Sequence, residues 1–454
     1  MTGVTDPQAP GDGAPTTQDA ATPAAAPASA ASHPATTSGE WSAWRVVWWF
    51  GFVSLAADMV YEGARSVYGP LLASLGATAT VVGLVTGAGE AMALVLRLVF
   101  GPLADRTGRY WSLTVVGYGM TAVCVPLLAV TPFVGAAGLV LASVLILLER
   151  AGKAVRSPSK SALLAHVATA VGRGRGFGVH KALDQVGALA GPLLVAAVIA
   201  AAAGAIWPAM AVLAIPGAAA MLLLAVIRSR VPDPSVYDGT EPRPESPAAQ
   251  TNTRGPGLRG WFADAVGAHL PRTFFGYALA AGLTTGGLVT FGIIGFHLTV
   301  AGLVPVAGVP LVYAAAMGVE ALAALGVGLV YDRHGAAILY AVPVLVALVP
   351  PLALAGQLWV VLIGVAVWAL AYGVQDSTVK ALVAEVVEAP RRATAYGVFA
   401  GIQGAFAIVG GVSAGWLYER SLIALVIVVA VTQLVALVLL ARTIGSLRRR
   451  PTPV

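Results

Sequence analysis

The chain has 454 residues, 58% of them apolar and 11% charged, and a formal net charge of +6; its mean hydropathy is +0.82. Soluble domains carry about 25% charged residues, so this composition excludes a water-soluble globular domain and makes the bilayer the chain's solvent. The basic balance follows from arginines in the loops and from attraction to anionic headgroups, and gives no support for nucleic-acid binding.

Residues 1–43 come first, rich in Ala, Pro, Thr and Ser and without an apolar core or a basic start. They read as a disordered tail and not as a signal peptide. Twelve apolar stretches follow, each near the ~20 residues that a spanning helix needs. In order, spans 1 to 12 are expected over 46–70, 79–102, 112–131, 136–158, 177–201, 206–227, 274–300, 308–329, 337–355, 357–379, 394–418 and 421–441. Arg45, Arg106, Arg109, Arg173, Arg175, Arg228, Arg230, Arg333, Arg391, Arg392 and Arg448 to Arg450 fall on one side, and Arg420 alone on the other. Lys and Arg accumulate in short cytoplasmic loops. Both termini are therefore expected in the cytoplasm, with the chain in the plasma or inner membrane.

Span 1 contains SLAADMVYEGARSVYGP, where Asp58, Glu62 and Arg65 at i, i+4 and i+7 share a helix face with Tyr61 beside them. Ionisable side chains within spans cost roughly 2.5–3.5 kcal/mol each on insertion scales, which makes them functional candidates. That face should line a polar cavity. Span 2 adds Glu90 near mid-depth and Arg97 closer to the cytoplasm, and span 3 holds the one cysteine, Cys124, so no internal disulfide can form.

In span 4, Arg150, Lys153, Arg156 and Lys160 lie within about a third of the circumference at roughly 100° per residue. Span 5 opens with GVHKALDQVGALAGP, in which His180 and Asp184 share a face; the second half offers His297, Glu320, Gln375, Asp376, Lys380 and Gln403. Depth divides this set. Asp58, Glu62, Glu90 and Arg150 are too deep to reach headgroups and read as transport residues, together with Arg65 and Lys153. Arg97, Arg156, Lys160 and Lys181 lie near the inner interface and read as headgroup contacts or partners of Asp105 and Asp184. Tyr61, His180, Asp184 and Gln403 are candidate walls of a substrate cavity, and His297 a cap at an outer helix end. Glu62 can pair with Arg65 three residues on, which leaves Asp58 to carry the proton; should Arg150 or Lys153 approach Asp58, Glu90 becomes the better carrier.

Two segments repeat. GPLADRTGRY, Gly101 to Tyr110, and GLVYDRHG, Gly328 to Gly335, give Gly-x-x-x-Asp-Arg-x-Gly twice, each expected in a turn between apolar helices. The run SALLAHVATAVGRGRGFGVHKAL from Ser161 aligns without a gap to KALVAEVVEAPRRATAYGVFAGI from Lys380. Duplicated halves predict a midplane site between two bundles. The expected organisation is a tail at 1–43, a six-helix bundle at 44–227, a cytoplasmic linker at 228–272, a second bundle at 273–442 and a tail at 443–454. Within the linker, Leu258, Trp261, Phe262 and Ala265 have helical spacing, which suits a helix on the membrane surface or an unstructured connection equally.

The 101–110 string resembles the signature between spans 2 and 3 of the major facilitator superfamily: Gly101, Leu103, Asp105, Arg106, Gly108 and Arg109 match it. The second copy, with Asp332 and Arg333, stands where those transporters repeat it. Gly178, Gly187, Gly191 and Pro192 in span 5 match most of the pattern of its proton-coupled antiporters, although Val195 and Ala196 replace the closing glycines. In span 4, Leu147 and Arg150 match the start of Leu-x-x-Arg-x-x-Gln-Gly, with Lys153 and Ala154 in place of the glutamine and glycine.

The resemblance implies an all-α membrane protein of twelve transmembrane helices in two pseudo-symmetric six-helix bundles, with gating at Asp105 and proton coupling at Arg150. The implied function is proton-coupled export of small organic or drug-like molecules by alternating access. Its expected partners are a small-molecule substrate, protons and the lipid bilayer, with a monomer as the working form and with no cofactor, no metal and no enzymatic reaction. Uptake or exchange of an anionic metabolite is the alternative, since the Arg150, Lys153, Arg156 stripe could hold a carboxylate or phosphate. A transport-inactive receptor or scaffold is a third reading, against which the intact Asp105 motif and the buried carboxylates count.

Overall fold

The computed structural model describes residues 41–238, 270–387 and 392–448, and the regular structure in them is helical throughout. Eleven stretches are long and apolar enough to cross a bilayer: Ala43–Arg65, Ala79–Thr107, Tyr110–Phe133, Gly135–Val171, Arg173–Ala201, Trp207–Arg230, Arg272–Val300, Gly308–Val327, Leu358–Gln375, Thr394–Arg420 and Leu422–Ser446. A shorter apolar stretch, Ala337–Ala353, occupies the place of span 9, consistent with a count of twelve. The linker segment with Leu258, Trp261, Phe262 and Ala265, and residues 1–40 and 449–454 of the tails, lie outside the described residues.

Three spans expected as continuous are broken. Span 1 ends its first helix at Arg65 and restarts as Tyr68–Ser74, because Pro70 lacks the amide that would continue the ladder. Span 6 divides at Leu213, ahead of Pro216. Span 7 unwinds between Arg272–Gly287 and Phe291–Val300, with Leu288 extended. The freed Val289 carbonyl accepts a bond from Trp368 Nε1 at 2.8 Å, and such backbone is tolerated at membrane depth only when protein supplies the partner.

Other helices overrun their expected ends. The helix of span 4 runs through Pro158 to Val171, so the loop expected after 158 shrinks to Gly172, whose φ is +88°. Residues 101 to 107 form the last turns of the span 2 helix rather than a turn, and Gly108 stops it with φ +63° and its amide on Ala104. Gly335 takes φ +59° after the span 8 helix Gly308–His334. Both copies of the motif therefore end on a left-handed glycine, a backbone state that side-chain-bearing residues seldom adopt.

Duplication is visible in the packing. Span 1 lies on span 5 as 7 on 11, span 2 on 4 as 8 on 10, span 3 on 4 as 9 on 10, and span 1 on 6 as 7 on 12. The halves meet where span 2 packs on span 11, span 5 on span 8, and the short helix Tyr68–Ser74 on Phe291–Val300. Span 1 starts and span 12 ends on one side, the terminal side; the far side is opposite.

Glycines make the far-side seam. A Cβ on Gly83 would strike the Gly411 carbonyl, one on Gly87 the Ala407 carbonyl, and one on Gly69 the Gly292 carbonyl. At the rim of this seam, the Thr80 amide donates to Glu419 Oε1 at 2.7 Å. Towards the terminal side the same two spans separate: Gly397 and Gly401 face open space, and Leu103 is exposed.

Candidate transport site

Between the halves lie two adjoining cavities. One, of about 150 Å³, has Glu90, Arg97, Arg150 and Lys153 on its first-half wall and Thr285, Trp368, Gln375 and Gln403 on its second-half wall. The other, of about 240 Å³, lies among Asp58, Glu62, Arg156, Lys160, Asp184 and Glu320. Tyr61, Arg65, Arg97, Lys153 and Tyr372 line both.

Tyr61 is the hub of the span 1 face. Its hydroxyl accepts from Arg150 Nη1 at 3.0 Å and from Arg65 Nη1 at 3.2 Å, and Lys153 Nζ stands 3.6 Å above its ring. Arg65 Nη2 donates to Glu90 Oε1 at 2.6 Å, while Glu62 is 3.9 Å from Arg65. Arg65 thus pairs with the Glu62 expected from its spacing, at the outer limit of an ion pair, and more closely with Glu90. The Tyr313 hydroxyl, from span 8 in the other half, donates to Glu62 Oε2 at 2.5 Å. Asp58 has Arg156 Nη2 at 3.9 Å, so its nearest cation comes from the span 4 stripe but is neither Arg150 nor Lys153.

Arg156 is buried in the bundle, donating to Thr121 Oγ1 at 2.5 Å with its guanidinium over the Tyr118 ring; these partners and Asp58 stand in place of the headgroup contact expected for it. Lys160 lies 4.0 Å from Asp184, the partner expected for it, and donates to Ser54 at 3.0 Å, while Ser54 in turn donates to Asp184. His180 is buried with its Nδ1 3.7 Å from Asp184. Gln375 and Gln403 both donate to Thr285 Oγ1, at 2.7 and 3.0 Å. His297 bridges Tyr418 at 2.8 Å and the Ala355 carbonyl at 2.9 Å.

Gly187 and Gly191 let span 5 lie against the Leu55 and Met59 backbone of span 1, within a helix that contains Pro192, whereas Gly178 faces open space. Asp105, Arg106 and Arg109 are exposed, and Asp105 accepts a bond from Tyr110 at 3.0 Å. Arg333 is exposed; the side chain of Asp332 lies outside the described residues, as do those of Asp376 and Lys380.

Sequence reasoning passed over several residues in and around the cavities. Glu149 is fully buried, 3.6 Å from Arg150 Nε and 3.5 Å from the Tyr68 hydroxyl; the cost of a charge within a span applied to it as much as to Arg150. Tyr313, Trp368 and Tyr372 carry no charge or motif that could have marked them.

Two duplicated helical bundles enclosing a charged cavity at their interface define a membrane transporter. The chain belongs to the major facilitator superfamily, which it matches over residues 49–336. The uncharacterized protein Rv2265 of Mycobacterium tuberculosis (strain ATCC 25618 / H37Rv) is 49% identical over 399 residues, 88% of this chain and 93% of its own. Among solved structures, a peptide transporter POT in complex with sulfate superposes with a TM-score of 0.67 at 13% identity, covering 89% of this chain and 94% of its own. A bacterial homologue of the human lysosomal transporter Spinster gives 0.66 at 15% identity, covering 90% and 99%. At these identities the structural likeness concerns the fold alone.

Proposed function

We propose that the protein is a proton-coupled exporter of small organic molecules that works by alternating access in the cell membrane, with the terminal side in the cytoplasm. The observation that carries this reading is the cluster of carboxylates facing the cavity between the halves, one of which, Glu62, bonds across the interface to Tyr313. A carboxylate that changes protonation at such an interface alters the contact between the halves, and so biases which side is open. Asp58 is the proton carrier: Glu90 is clamped by Arg65 and Glu62 accepts a short bond from Tyr313, whereas the nearest cation to Asp58 stands at 3.9 Å beside the larger cavity. The glycine contacts of span 5 and the antiporter-like pattern they belong to favour export. In this conformation the far side is closed, which makes the cavity inward-facing.

The test is transport by purified protein in proteoliposomes with an imposed pH gradient, using a panel of organic acids, amines and neutral compounds. No gradient-dependent movement of any compound by folded protein would remove the reading.

Tyr313→Phe should weaken far-side closure. A hydrogen bond to an acidic group contributes about 1.5–3 kcal/mol, so the balance of states should shift by roughly 10- to 100-fold. Spin labels at Ser74 and Ser421 should report a longer distance population; an unchanged distribution would leave the bond without a gating role.

Asp105→Asn should slow cycling while leaving expression normal. In the opposite conformation its carboxylate would reach the start of span 11 near Thr394 and Ala395, where a helix N-terminus contributes about 0.3–1 kcal/mol. Asp332→Asn should be milder, because only Arg333 and Gly335 remain of the downstream pattern there. Equal or reversed severity in a transport assay counts against the assignment.

A further inference from the structure

We infer that the substrate is an organic anion, a carboxylate or similarly charged acid on an apolar or aromatic body, and that Arg97 and Lys153 hold its charged head. This deepens the transporter reading and rests on it.

Most cations around the cavities already have a carboxylate. Arg65 has Glu90, Arg150 stands between Glu90 and Glu149, Arg156 has Asp58, and Lys160 has Asp184. Among the described residues, Arg97 and Lys153 have no carboxylate within 4.0 Å. Lys153 rests on the face of Tyr61, and Arg97 Nε is shut off from solvent without a hydrogen-bond partner. Both also line the two cavities, at the junction, where the third shared cation, Arg65, is already taken by Glu90.

Uncompensated cations at this depth call for a counter-charge. Among the described residues the facing wall of the smaller cavity supplies none: the second half contributes Leu288, Val289, Trp368 and Tyr372, with the amides of Gln375 and Gln403, and its carboxylate Glu320 lines the larger cavity only. A ligand with its negative end on Arg97 and Lys153 would lay its body against Trp368 and Tyr372 and touch both halves at once. An amine in the same place would meet two positive charges, and a neutral compound would leave both unanswered.

The experiment uses the full chain, purified in detergent, and three probes of one shape: 4-phenylbutyrate, 4-phenylbutanamide and 4-phenylbutylamine. Thermal unfolding is followed against the concentration of each. The acid should stabilise the protein at about tenfold lower concentration than the amide, a difference worth ~1.4 kcal/mol, and the amine should not stabilise it. This preference should fall below about twofold in Arg97→Gln and in Lys153→Met, and survive in Lys153→Arg, which keeps the charge. Should Lys153→Met fail to fold, Arg97→Gln and Lys153→Arg still decide the matter. Equal or better binding of the amide or amine, stabilisation by none of the three, or an acid preference unchanged in Arg97→Gln overturns the inference. The same probes in wild-type proteoliposomes separate the two readings. Gradient-driven movement of the amine or amide leaves transport standing without an anion site, and binding of the acid with no movement of any probe leaves the anion site without transport.

Discussion

Asp58→Asn is expected to abolish transport driven by a pH gradient while sparing substrate binding and counterflow. Asparagine keeps the shape of aspartate and its ability to accept a hydrogen bond, but it cannot take up and release a proton. Asp58 lies beside the larger cavity with Arg156 at 3.9 Å and 19% of its side chain exposed, so water and protons can reach it, and in the variant Arg156 keeps its bond to Thr121 and its place over the Tyr118 ring. The carboxylates of Glu62 and Glu90 remain in this variant, so a proton path through either would preserve the activity. Proteoliposomes with an imposed gradient, compared with counterflow at equal pH on both sides, separate the two functions. Gradient-driven transport that persists in the variant would take Asp58 out of the proton pathway.

Arg65→Gln should be the most destabilising single change in the cluster. Arg65 and Glu90 are 2.6 Å apart with side chains only 10% and 26% exposed, and removal of one partner from a buried pair costs about 3–5 kcal/mol, because the other charge is left behind. The guanidinium also holds the Tyr61 hydroxyl and faces the Tyr372 ring. The double variant Arg65→Gln, Glu90→Gln removes both charges and should recover a large part of the loss. Thermal unfolding of the four proteins in one detergent gives the coupling directly. A double variant no more stable than Arg65→Gln alone would show that Glu90 is not the partner that matters.

The number and order of spans were legible in the sequence because a run of about 20 apolar residues has little other use. Breaks within spans were not, since hydropathy has no sensitivity to backbone phase; only Pro70 and the Gly286, Gly287 pair hinted at those in spans 1 and 7. Helix ends lie beyond the apolar runs for a related reason. Arg97 was placed at the interface by counting from a helix end at 102, but the helix continues to Thr107, and at 1.5 Å per residue those extra residues set Arg97 roughly 7 Å further from the end. The same effect, with span 4 continuing to Val171, carries Arg156 into the bundle interior. Individual charges in spans 1, 2 and 4 announced a polar cavity, and the structure gathers them around two adjoining ones. Pairing was harder to foresee: spacing offered Glu62 to Arg65, but Glu90 arrives from another helix, and Tyr313 from the other half.

The far-side seam has a consequence for how the protein moves. Spans 2 and 11 touch backbone to backbone through Gly83, Gly87 and Gly411, so parting them pulls no side chain out of a socket and turns no rotamer. Such a surface resists separation weakly along its length, and directional bonds hold it from beside: Glu419 on the Thr80 amide at the rim, Thr86 on Thr290, and Tyr313 on Glu62. Opening and closing are thereby assigned to different residues. Bulk added in the middle of the seam governs whether the faces can meet, whereas the polar bonds beside it govern how long they stay together.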